Sequence, residues 1–370
     1  MKVVTRQALE KLFSARLADT ELIAPVEIEG KSYFRALEGG LEEMQWLTQT
    51  SPSGKTRTST EPGPTAEGRA ASPLTVNSLK EFFFPRRQEL YIQRPEGITP
   101  VDPAPERPRL VLFARPCETR ALAILDRLFL GETRDTSYAA HREATTIVGL
   151  RCLEPDEYCF CSSVGGSPFG TEGMDLALTP LDGERFCAEA LTEKGEALLS
   201  SASLPAGESS EPGQAERELL EALRSKAEAA VSRRLVLPDP EAMEERFDSP
   251  YWREVSRACL TCGICSYLCP TCHCFDIVDE GYLRVRCWDT CSAENFTRTA
   301  AGENHHRNKH TRYRQRVYHK FSWFKENYGT VACVGCGRCA RQCPVKIDIV
   351  EVVNGIGRIH GIRAISPSQA

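Results

Sequence analysis

The sequence lacks an apolar run long enough to span a membrane. Its opening, MKVVTRQALEKLF, has no apolar core before a cleavage site and reads as an amphipathic helix, so no secretory signal is expected. No G-x-G-x-x-G turn follows an expected strand. NGIGRIHG (354–361) has the wrong spacing and falls in an expected helical tail, so neither a flavin nor a nicotinamide site is read in this chain. The GKT within residues 51–73 lacks the first glycine of a phosphate loop, because Gln49 stands in that place. An excess of positive charge is absent too. With 46 Lys and Arg against 51 Asp and Glu, the net charge of −5 argues against nucleic-acid binding by the chain as a whole.

What the sequence has in abundance is cysteine, 17 in 370 residues. Disulfide frameworks of that density belong to small secreted domains, and this chain is long, with ordinary globular proportions of 41% apolar and 26% charged residues. The cysteines are therefore expected to be thiolate ligands in a reducing cytoplasm.

Length allows two domains. A helix with Val4, Leu9, Leu12 and Phe13 on one face is expected first, then short strands around LIAPVEIEGKSYFRAL. Residues 51–73 hold almost nothing that could be buried and read as a mobile loop. From 108 to 191 the pattern is α/β. RLVLFA (109–114), TTIVGL (145–150), MDLALTPL (174–181) and RFCAEAL (185–191) read as strands, and TRALAILDRLFL (119–130) as a helix. A Ser/Pro/Gly/Glu-rich linker at about 200–214 and a charged helix precede the cysteine-dense part. The expectation is an α/β domain over 1–240 and a helical, ferredoxin-like two-cluster domain over 241–370.

CLTCGICSYLCP supplies Cys259, Cys262, Cys265 and Cys269, and CVGCGRCARQCP supplies Cys333, Cys336, Cys339 and Cys343. Both match C-x2-C-x2-C-x3-C-P, the run that holds 4Fe–4S cubanes. Three closely spaced thiolates on a tight turn serve three corners of the cube, and the fourth must be reached from elsewhere. In two-cluster ferredoxins the last cysteine of each run ligates the other cluster. By that rule Cys259, Cys262, Cys265 and Cys343 hold one cluster, and Cys333, Cys336, Cys339 and Cys269 hold the second. Paired zinc sites are disfavoured, since they normally use separated C-x2-C pairs. CPTCH (269–273) fits a haem-attachment signature, but accepting it would break a complete ferredoxin run.

RCLEPDEYCFCSS (151–163) places Cys152, Cys159 and Cys161 far from those runs, one thiolate short of a closed set. Cys117 follows the strand 109–114 just as Cys152 follows 145–150. If the two strands are parallel neighbours, both thiols emerge at the carboxyl edge of one sheet, where α/β folds build sites. A third 4Fe–4S cluster on Cys117, Cys152, Cys159 and Cys161 is expected, with zinc or unliganded thiols as alternatives. Cys272, Cys274, Cys287 and Cys291 admit a metal, but buried thiols packing around a cluster are the expected reading.

Residues 298–326, between the ferredoxin runs, carry eight Arg and Lys against Glu303 and Glu326. The expected role is a helical insert whose charge offsets anionic clusters and docks an acidic partner, rather than a nucleic-acid surface.

Seven stretches, NSLKEFFFPRRQELY (77–91), RPCETRALAILDRLFL (115–130), GLRCLEPDEYCFCSS (149–163), GMDLALTPL (173–181), CPTCHCFD (269–276), RCWDTC (286–291) and CVGCGRCARQCPVKIDI (333–349), carry a resemblance. In combination they resemble the family that includes the iron–sulfur electron-transfer subunit of anaerobic sulfite reductase and the beta subunit of cytosolic NiFe sulfhydrogenases. Related chains occur in flavin oxidoreductases coupled to heterodisulfide reductase. The resemblance implies a non-catalytic relay of single electrons in an anaerobic oxidoreductase complex. Its partners would be a flavin- and NAD(P)-binding subunit of diaphorase type and a terminal redox subunit of sulfite reductase, NiFe hydrogenase or heterodisulfide reductase type. Two other readings stay open from the residues alone: an iron–sulfur redox sensor or nucleic-acid-binding regulator built on the basic insert, and an enzyme acting at its own cluster.

Overall fold

Apolar runs at period two and helical stripes at 3.6 set the architecture. It is described here from a computed structural model over residues 1–45, 74–200 and 209–358. In chain order the strands are β1 (Lys2–Thr5), β2 (Glu21–Ile28), β3 (Lys31–Ala36), β4 (Arg87–Arg94), β5 (Gly97–Pro100) and β6 (Arg109–Ala114). They continue with β7 (Thr145–Leu150), β8 (Leu176–Pro180), β9 (Arg185–Ala190), β10 (Ser209–Ser210), β11 (Phe275–Glu280) and β12 (Leu283–Trp288). Eight of them form one sheet in the order β10-β1-β9-β8-β7-β6-β2-β3.

The centre of that sheet, β2-β6-β7-β8, is parallel. β6, β7 and β8 are buried along almost their whole length, as strands covered on both faces must be. Leu110 and Leu112 of β6 pack with Leu9, Leu12, Phe13 and Leu198 on one face. Val111 packs with Leu122, Leu125 and Phe129 of the helix Pro116–Phe129 on the other. Val4, expected on the first helix, lies instead in β1. The helix begins at Arg6, where Thr5 Oγ1 accepts from the Ala8 amide at 3.1 Å and ends the extended run.

The C-terminal part departs from the all-helical expectation. β11 and β12 form an antiparallel hairpin across Gly281 and Tyr282, with Gly281 at φ 63°. The alternation in DIVDEGYLRVR has the strand period, and cysteine-rich surroundings do not alter that. The hairpin joins β4 and β5 in a second sheet, order β11-β12-β4-β5, so residues 87–100 and 275–288 share one element across position 240.

The C-terminal core also crosses that position. Phe160 and Val164 pack with Trp252, Val317, Tyr318 and Val353. The loop expected over 51–73 lies outside the described residues, as do 201–208 of the expected linker. Beyond them Ser209–Ser210 pairs with β1, and the helix Gln214–Ala230 follows. Among the described residues no helix is long and apolar enough to cross a membrane.

Candidate iron–sulfur centres

The two ferredoxin runs fold into matching loops. Thr261 and Gly263 in the first run have φ 54° and 74°, and Gly335 and Gly337 at the equivalent places in the second have φ 68° and 70°. Left-handed residues alternating with right-handed ones turn successive amides inward and make a nest for an anion. The Thr261 amide donates to Cys259 Sγ at 3.4 Å, and the Ile347 amide donates to Cys343 Sγ at 3.2 Å. Amides of Gly335 and Arg338 serve Cys333 and Cys336 in the same way.

The thiols group as the crossing rule expects. Cys259 faces Cys265, Cys262 and Cys343. Cys339 faces Cys269, Cys336 and Cys333. Cys269, though in the first run, thus stands among thiols of the second. Burial pushes the Cys333 thiol up to about 11 and the Cys259 thiol upward. Metal binding must displace the protons of such raised thiols, whereas the Cys272 hydrogen bond, with Lys320 and Arg316 nearby, holds Cys269 below the ordinary thiol range. Among the described residues no three Cys, His, Asp or Glu side chains converge tightly enough for a single ion. A cubane holds its thiolates apart on separate corners, so these loops fit a cluster better than zinc.

Buried cations complete the surroundings. Lys320 Nζ lies 3.2 Å from Cys269 Sγ, and Arg316 donates to Cys265 O at 2.8 Å and Cys272 Sγ at 3.2 Å. Both belong to the basic insert, on the helix Lys309–Tyr318 and the π-helical turn His319–Trp323 after it. Arg312, one turn earlier, is also buried and binds the Ser292, His306 and Arg307 carbonyls. Part of the insert's positive charge therefore points at the thiols, and Arg314 is engaged by Asp248 and the Phe247 ring.

The N-terminal cysteines meet at the carboxyl edge of the large sheet. β6 and β7 are parallel, Arg109 opposite Thr145. A bulge at Phe113, with φ 59°, redirects β6 into the Pro116–Phe129 helix, which carries Cys117 in its first turn. Cys152 leaves β7, and Cys159 and Cys161 follow on the same loop. All four line one pocket, together with Arg115 and Gly335. Arg115 is buried there; its Nη1 donates to Arg151 O at 3.4 Å, while among the described residues Nε and Nη2 have no hydrogen-bond partner. A guanidinium with two unsatisfied nitrogens beside four thiols fits an anionic cluster. Burial pushes Cys161 up to about 11 and raises Cys117, Cys152 and Cys159 as well. Cys159 donates to Asp156 Oδ1 at 3.3 Å, and Asp156 is ion-paired with Arg341 of the second run.

This site abuts the second ferredoxin loop. Cys117 faces Cys336, and the Phe160 amide donates to Gly335 O at 2.9 Å. Glu118, next to Cys117, is ion-paired with Arg338, both about 1% exposed, and Arg338 also donates to Thr75 O at 2.9 Å.

A family model for 4Fe-4S dicluster domains matches residues 258–347. Over 288 residues the chain is 31% identical to sulfhydrogenase 2 subunit beta of Pyrococcus furiosus, covering 76% of this chain and 83% of that protein. The chain belongs to the sulfhydrogenase beta-subunit family. Its dicluster domain carries two 4Fe–4S clusters, as the family model describes, and it is an iron–sulfur subunit of a sulfhydrogenase-like complex.

The structure separates the four surplus cysteines. Cys272 touches Cys269, and Cys274 faces Cys272 and neighbours Cys291, whereas Cys287 lies on β12 opposite Asp276. On β12 the neighbours Arg286 and Trp288 face Phe84, so alternation turns Cys287 to the other side. Sequence reasoning missed Lys80, Arg115 and the Glu118–Arg338 pair. Nothing in NSLKEFFF marks Lys80 as a buried cation.

Proposed function

We propose that this chain relays single electrons through three 4Fe–4S clusters. Cys259, Cys262, Cys265 and Cys343 hold the first, Cys333, Cys336, Cys339 and Cys269 the second, and Cys117, Cys152, Cys159 and Cys161 the third. The observation that carries this reading is the contact of Cys117 with Cys336, which makes the N-terminal set adjoin the second ferredoxin loop. Bound clusters supply one-electron chemistry; the chain's own residues hold them, tune their charge and keep water away.

Cys262 is exposed, with Leu260 beside it 61% exposed, so the first set offers an outlet at the surface. The third set is less exposed, with Cys159 buried and Cys117, Cys152 and Cys161 half-buried. A path from the N-terminal domain to the Cys262 surface suits a subunit set between two redox partners. The partners we propose are a terminal redox subunit and a flavin- and NAD(P)-binding subunit of diaphorase type. Similarity to a sulfhydrogenase subunit favours a NiFe hydrogenase type over sulfite reductase or heterodisulfide reductase.

Iron and acid-labile sulfide counted on anaerobically purified full chain test the third cluster. At least about twelve irons are expected, falling by about four in Cys161→Ser with the two ferredoxin signals intact. An unchanged iron count in Cys161→Ser would overturn it.

A further inference from the structure

Beyond the three sets above lies a fourth group of thiols. Cys274 and Cys291 are immediate neighbours, and Cys272 faces Cys274 from the loop before β11. The Cys291 amide also serves Cys274 Sγ. Three thiols from two ends of one hairpin thus meet beside Lys80, Arg316 and Lys320.

Those cations are 2%, 3% and 4% exposed, and among the described residues none is paired with a carboxylate. Unpaired buried charge is costly, so anions must stand opposite. Arg316 and Lys320 also face thiols of the two ferredoxin loops. Lys80 faces only Cys269 of those thiols. Its other thiol neighbours are Cys272 and Cys274, its Nζ donates to Cys272 O at 2.9 Å, and the Trp288 ring covers it at 3.9 Å. Two clusters thus leave three buried cations sharing Cys269 and its partners.

We infer that Cys272, Cys274 and Cys291 hold a further iron–sulfur cluster, with Lys80 beside it as a counter-ion. A single zinc fits poorly, because among the described residues the thiols do not converge on one point. Three thiolates serve three corners of a cubane, and the fourth iron is left to a non-cysteine ligand. Because Cys272 touches Cys269, this cluster would branch from the second ferredoxin set.

Iron, sulfide and zinc are counted on the anaerobically purified full chain and its variants, with EPR of the dicluster as the folding control. Cys291→Ser and Cys274→Ser are each expected to lose about four irons, and Cys287→Ser none. The loss is independent of Cys161→Ser, so failure here leaves the third cluster standing, and the reverse. Unchanged iron in both variants, or loss of one zinc in place of iron, overturns the inference. Should both variants lose the dicluster signals, native mass spectrometry of the unaltered chain decides. One cluster more than Cys161→Ser and the ferredoxin runs account for supports the site, and no excess overturns it.

Discussion

Lys320 shows how a single side chain is placed to set a potential. Its ammonium is buried, 3.2 Å from Cys269 Sγ, and the Ala332 carbonyl at 2.9 Å holds it there. A positive charge so close favours the reduced, more negative cluster. A unit charge at 4 Å is worth about 4 kcal/mol at an effective dielectric of 20, an upper bound here. Lys320→Met is therefore expected to make one cluster on the order of 100 mV harder to reduce, read by EPR-monitored redox titration. An unmoved potential would mean that the ammonium is screened. His141 acts on stability instead. Burial, with Arg109 and Arg286 nearby, lowers its pKa below the ordinary 6.5. A depressed histidine contributes stability that is present above pH 6.5 and lost as pH falls through the folded value. His319 and His273, pushed by burial to about 4 and about 3, add to the same acid limb. His141→Gln should flatten the upper part of that limb in denaturant titrations from pH 7 to 5, and an unchanged slope would refute its share.

Loops and helices make the sites, and here sequence and structure part company in instructive ways. The ferredoxin runs were legible because their spacing is a direct print of cubane geometry, and β6 and β7 because buried parallel strands read as unbroken apolar runs. Cys117 was found through those strands, since a βα junction fixes where a residue emerges. Arg312, Arg316 and Lys320 sit four apart on one helical stripe, and the sequence placed the insert's charge opposite the clusters without saying which side chains turn inward. Which cation meets which thiol is a tertiary fact. The β11–β12 hairpin was visible as alternation but overlooked among cysteines. Gly337 joins two of these elements. It has φ 70°, and a Cβ there would lie 2.5 Å from both the Tyr158 carbonyl oxygen and its Cβ. Gly337→Ala combines left-handed strain with a clash against the loop carrying Cys159 and Cys161, at a cost of about 1–3 kcal/mol from the strain alone. It should lose iron from the second and third sets together. Gly183→Ala, where an added Cβ meets nothing, should keep all of it. Retention of full iron by Gly337→Ala would mean that the two loops separate without consequence.

At the scale of the whole molecule the question is whether the dicluster part can stand alone. A boundary near 240 follows composition, but three features cross it. The second sheet takes β4 and β5 from one side and β11 and β12 from the other, with Arg284 opposite Tyr91 in the ladder. Arg338, inside the second cysteine run, is tied to Glu118 and to the Thr75 and Asn77 carbonyls. Phe160 and Val164 fill the core beneath Trp252. A 241–370 fragment would leave a two-stranded hairpin, which is marginal on its own in water. It would also strand the Arg338 guanidinium without its carboxylate, and breaking such a buried pair costs about 3–5 kcal/mol. That loss is a large fraction of the roughly 5–15 kcal/mol that stabilises an ordinary domain. The fragment is therefore expected to bind its two clusters poorly when reconstituted alone, and to recover them when 1–240 is co-expressed. Iron content and near-ultraviolet circular dichroism of the fragment with and without 1–240 give the answer. Full cluster loading of 241–370 by itself would show that the two halves merely touch. The expected failure would mean that the relay is assembled only as the two halves fold together, so that the Cys117–Cys336 contact forms in the same step as the dicluster loops.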